Sequence, residues 1–67
     1  MKGLDIEKVE VFALRKGWSF AALQKKAGLG SMTLPHIRDG KHKASASTIY
    51  KLAKAFECDP VELLKEA

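Results

Sequence analysis

Between Ser19 and Gly40 the chain reads SFAALQKKAGLGSMTLPHIRDG, and this stretch leaves few folds open. Phe20, Leu23 and Ala27 fall at i, i+3 and i+7, one apolar stripe of a helix with Ser19 as its N-cap. Gly28 follows at once and takes the left-handed conformation that stops a helix. Leu29 is an apolar plug in the turn. Leu34 and Ile37 then form a second stripe, which Gly40 closes. The spacing predicts a helix from about Phe20 to Ala27 and another from about Ser31 to Asp39. Two short helices joined by a tight glycine turn make a helix-turn-helix.

The flanks read as helices too. Ile6, Val9, Phe12 and Ala13 form the inward stripe of a first helix from about Asp5 to Lys16, ended by Gly17. After the polar, basic loop GKHKASA, Ser45 or Ser47 caps a fourth helix with Ile49, Leu52, Ala53 and Phe56 inward. Asp59-Pro60-Val61-Glu62 is a strong helix start, with Asp as cap, Pro at the first position and Glu three after the cap. A fifth helix is expected from Pro60, with Val61 and Leu64 inward. Helices this short are marginal alone, so packing must hold them. A chain of 67 residues buries only about 60% of its unfolded surface, enough for one modest core. The expectation is a single all-α domain over residues 1–67.

Composition removes several classes. With 46% apolar and 30% charged residues the chain is globular rather than disordered. No apolar run approaches the ~18 residues of a membrane span, and MKGLDIEK is too acidic and too briefly apolar for a signal peptide. The lone Cys58 cannot form an internal disulfide, so the cytoplasm is the expected compartment. Charge is distributed unevenly. Residues 13–56 hold nine Lys/Arg and a single acid, Asp39, whereas the two ends hold three Lys and seven acids. A basic centre with acidic flanks is the footprint of a polyanion-binding face.

Leu23, Gly28, Leu29, Leu34, Ile37 and Gly40 together resemble the phage repressor/Cro type of helix-turn-helix, the XRE family. LRKGWS (Leu14 to Ser19) is similar to that family's end of helix one, and STIYKLAKAFECDPVELL (Ser47 to Leu64) to its fourth and fifth helices. The resemblance implies a compact five-helix, lambda-repressor-like DNA-binding domain with the helix-turn-helix at helices two and three. It implies a sequence-specific transcription regulator, a repressor occupying an operator through the major groove. Carried over by position, Gly30, Ser31, Met32 and His36 face base edges. Ser19, Phe20, Lys41, His42 and Lys43 meet the sugar-phosphate backbone. Double-stranded DNA is the implied partner. A weak homodimer is implied as well, through helix five and Val61, Leu63 and Leu64, because adjacent leucines on a helix cannot both enter one core.

Three departures from the family pattern stand out. Gln24 occupies a position that is usually Ala, so its amide must lean outward or find hydrogen bonds. A basic residue in helix one and an acid late in helix three are replaced together, by Ala13 and Arg38, which sends Arg38 to solvent or DNA. Pro35 lies inside the expected reading helix, where it implies a late start or a bend near Leu34. The reading face also lacks a Gln or Arg able to pair bidentately with a base. These features keep open a second reading, a protein-interaction or antitoxin-like module on the same fold.

Little else carries chemistry. His36, His42 and the distant Cys58 make no metal-ligand set. Cys58 reads as core, and Trp18 as packing at the helix junction after Gly17. No enzyme, cofactor or small-molecule substrate is expected.

Overall fold

Asp5 opens the first helix by accepting from the Glu7 and Lys8 backbone N–H groups at 3.0 and 3.4 Å. A computed structural model describes residues 3–66, so residues 1, 2 and 67 of the expected domain lie outside the described residues. The elements are α1 (Ile6–Lys16), α2 (Phe20–Ala27), α3 (Thr33–Arg38), α4 (Ala46–Phe56) and a 3-10 turn (Pro60–Leu63). Ser19 caps α2 through Ala22 N–H at 3.1 Å, and Gly28 ends it at φ 73°. Ser45, not Ser47, caps α4. Glu57 ends α4 in the left-handed region at φ 58°, the one described non-glycine residue there.

Val9 and Ala13 of α1, Leu23 of α2, Leu34 of α3 and Ile49, Leu52, Ala53 and Phe56 of α4 meet in one core with Leu4 and Leu63. Each fully buried leucine contributes roughly 1.5–3 kcal/mol. Ile6 and Phe12, expected inside, are only partly buried against that core. Phe56 anchors the α1–α2 junction: the Phe12 ring meets it edge-on at 5.4 Å and Trp18 stacks on it at 6.0 Å. The Trp18 N–H also donates to the Ala13 carbonyl at 2.8 Å. Trp18 is packing, as expected.

Among the described residues four α-helices form, not five. The expected fifth helix is a single 3-10 turn, although its capping box is complete, with Asp59 and Glu62 bonded reciprocally. The chain then leaves in extended conformation at Leu64 and pairs with the other end. Leu4 and Leu64 form an antiparallel bridge, Asp5 N–H donates to Leu63 C=O at 2.8 Å, and Lys65 N–H to Gly3 C=O at 2.9 Å. Such turns suit short pieces. Leu63 takes the inward side and is fully buried, while Pro60 lines a surface groove with Tyr50 and Val61. Val61, expected inward, is 69% exposed.

α3 starts at Thr33 rather than Ser31, and ends at Arg38 rather than Asp39. Met32 stands at its N-cap and offers no side-chain bond. The buried Gln24 supplies what is missing. Its Oε1 accepts from Leu34 N–H at 2.8 Å, while its Nε2 donates to the Ser31 carbonyl at 3.0 Å. Thr33 N–H donates to Gly30 C=O at 3.2 Å, and His36 N–H to Met32 C=O at 3.1 Å. Pro35, third in the helix, has no N–H to place. Every donor of this first turn is thus satisfied, and two departures from the family pattern explain each other. In a helix begun earlier, residue 35 would donate to the Ser31 carbonyl. Here proline cannot, and Gln24 does.

Because Pro35 sits where no N–H is required, Pro35→Ala should change stability by less than about 1 kcal/mol in urea unfolding. A gain near ~3 kcal/mol would show instead that the proline breaks the helix.

Candidate nucleic-acid interface

The second half of the helix-turn-helix builds a shallow cleft of about 440 Å³ between α3, the following loop and the start of α4. Gly30, Met32, Thr33 and His36 line one side of it, and His42, Lys43, Ser45 and Thr48 the other. Met32 is 53% exposed despite its apolar side chain, and His36 is half-buried one turn on. They lie four residues apart, on one side of α3. Gly30 and Ser31 are exposed but lie in the turn before the helix, not on it. Ser31 is not part of the cleft lining, and its carbonyl is taken by Gln24.

The loop after α3 is tied back to it. Gly40 N–H donates to Ile37 C=O at 3.1 Å, Lys41 N–H to His36 C=O at 2.9 Å, and His42 N–H to the same carbonyl at 3.4 Å. This brings the His36 and His42 rings to 5.3 Å between centroids. Lys41, His42 and Lys43 are all exposed, and only the last two reach the cleft. Donors, acceptors and cations thus line one concave surface, and polyanions and base edges offer the matching groups.

The residues expected at the backbone on α2 are placed differently. Ser19 is exposed, but its hydroxyl is engaged at Ala22 N–H. The Phe20 ring is half-buried beneath the Arg38 guanidinium at 5.8 Å, so its backbone N–H, not its ring, is what it offers. Arg38 points to solvent, with Nε 3.9 Å from Asp39 Oδ1, while Ala13 is buried. Losing both members of the family's pair leaves no lone charge inside. Sequence reasoning missed Thr33 and Thr48. Both follow from the caps: once α3 begins at Thr33 and Ser45 caps α4, each threonine lies in a first turn beside the cleft.

Residues 8–65 match the Cro/C1-type HTH DNA-binding domain. The chain belongs to that family. Among solved structures, this Cro/C1-type chain is similar to the restriction-modification controller protein C.AhdI from Aeromonas hydrophila. They share 27% identity over 88% of this chain and 89% of that one, with a TM-score of 0.79. It is similar in fold to the hypothetical transcription factor NHTF from Neisseria, at 22% identity over 97% of this chain and 84% of that one, with a TM-score of 0.78. Comparison with curated proteins finds no match.

Other chemistry has little to work with. Among the described residues no group of three or more His, Cys, Asp or Glu side chains could hold a metal ion, and no helix is long and apolar enough to cross a membrane. Cys58 is partly buried against the core, and burial, then Glu62 and Asp59, push its thiol pKa up while Lys16 opposes them. The thiolate is the nucleophile, so this thiol is a poor one. Alkylation by iodoacetamide should therefore be slower at neutral pH than for an unstructured cysteine peptide, with its rate rising only at higher pH. A faster reaction would contradict that placement.

Proposed function

We propose that this protein is a sequence-specific transcription regulator that acts as a repressor by occupying an operator through the major groove. The observation that carries the proposal is the cleft at α3, lined by Met32 at the N-cap and by His36 one turn on, beside the helix that members of this family turn toward DNA. In this reading Gly30, Ser31, Met32 and His36 face base edges. Met32 offers apolar contact to a thymine methyl, and His36 offers a donor to a guanine acceptor. Ser19, Phe20 (through its N–H), Lys41, His42 and Lys43 hold the backbone. With no bidentate pair on this face, discrimination comes from several modest contacts. Likeness to a restriction-modification controller supports a regulatory role.

The same reading takes the protein to DNA as a weak homodimer in the cytoplasm. Leu63 is buried and unavailable. The surface left for a second copy is the apolar groove of Tyr50, Pro60, Val61 and Leu64, where Tyr50 is 63% and Val61 69% exposed. Sedimentation of the DNA complex should show two proteins per site, and Val61→Asp should reduce this to one. One protein per site with the parent would remove the dimer.

Selection of duplexes from a random pool, followed by gel shifts at two salt concentrations, tests the function. Lys41→Ala and Lys43→Ala should weaken binding on all sequences alike and flatten log K against log[salt] by about 1 each. Met32→Ala and His36→Ala should leave folding within about 0.5 kcal/mol of the parent. Each should relax preference at one or two base pairs by ~1–3 kcal/mol per pair. If no duplex is selected, the protein-interaction module takes the lead.

A further inference from the structure

The reading helix has six residues and no cap of its own, yet it must hold its side chains in a fixed pose. A reading side chain is only as well placed as the residues that lock its support. Three observations locate that support. Gln24 is the one buried polar residue among those described, 4% exposed between the fully buried Leu23 and Leu34. It bonds both sides of the turn: the Ser31 carbonyl before α3, and the Leu34 N–H inside it. Pro35 forbids the alternative in which α3 begins a turn earlier and its own backbone takes the Ser31 carbonyl.

We propose that Gln24 is the positioning residue of the reading helix. Its amide, acting together with Pro35, sets where α3 begins and how it meets the cleft, and thereby which base pairs Met32, Thr33 and His36 reach. Gln24 lies under the turn, buried away from any DNA, so it acts wholly through the pose of α3. This rests on the DNA-reading function proposed above.

The test uses the full chain as parent, Gln24→Met, Pro35→Ala and the double variant. Methionine keeps the volume of glutamine and removes both hydrogen bonds. Each variant is first shown to be folded by circular dichroism. The ratio of affinities for a selected duplex and a scrambled duplex is then measured, with the salt dependence of each. Gln24→Met should lower that ratio about tenfold or more, the scale of one or two lost base-pair preferences. Binding to the scrambled duplex and its salt slope should stay within twofold of the parent, which general destabilisation would not achieve. Pro35→Ala alone should stay within twofold in ratio. In the double variant, residue 35 regains an N–H for the Ser31 carbonyl and part of the ratio should return. If Gln24→Met does not fold, Gln24→Asn, whose amide is one methylene short, is read in the same way. A folded Gln24 variant with the parent's ratio overturns the proposal, as does an equal loss on both duplexes or a double variant no better than Gln24→Met. A parent that prefers no duplex overturns the DNA-reading function instead.

Discussion

The second helix of the helix-turn-helix, α3, hangs on one side-chain amide. Six residues of helix cannot hold themselves in water, and α3 has neither a capping side chain nor a proline-free first turn. It is held by the burial of Leu34 and by Gln24, whose oxygen and nitrogen reach across from α2 to the two backbone groups the turn leaves open. An unpaired buried backbone N–H or amide would cost ~1–3 kcal/mol. In a domain of this size that is a large share of all the stability available. The loop bonds from Gly40, Lys41 and His42 then fasten the other end of α3.

Around that helix the charges are unevenly distributed. Most acids lie on α1, the 3-10 turn and the segments beside them, which the pairing of Leu4 with Leu64 draws together. The cations of α2, of the loop after α3 and of α4 remain with Asp39 as the only acid among them. Other cations have structural work: Lys16 of α1 and Lys26 of α2 lie 5.9 and 5.0 Å from the Trp18 ring centre, and Arg38 of α3 covers Phe20. Lys41 and Lys43 have no such partner among the contacts described. Lys25, Lys51 and Lys54 have none either, and Lys43 differs from them in lining the cleft beside α3.

Most of the fold was legible in the sequence because its signals are local. Ser19, Gly17 and Gly28 each satisfy or release backbone groups within a few residues and act as read, Ser45 is one of the two caps the sequence offers, and Asp5, expected as the first helical residue, caps α1 instead. What failed was non-local. Nothing near Pro60 announces that Leu64 will pair with Leu4, sixty residues earlier, and cut the fifth helix to one turn. The late start of α3 was implied by Pro35, but its cause, an amide ten residues before Leu34, becomes visible only when α2 and α3 are packed. The candidate interface was legible in the same measure. Met32, His36, His42 and Lys43 do share one cleft, while Thr33 and Thr48 depended on cap positions that the sequence left open.

On the proposed function, α3 and the loop after it form the face that meets DNA. Amide chemical-shift mapping by NMR, with a selected duplex added stepwise to the labelled protein, tests it directly. The largest shifts are expected at residues 30–34, 36 and 41–43, with a smaller set at Ser19 and Phe20. Shifts concentrated instead on the exposed Val11 and Leu14 of α1, with residues 30–34 and 36 unmoved, would contradict it.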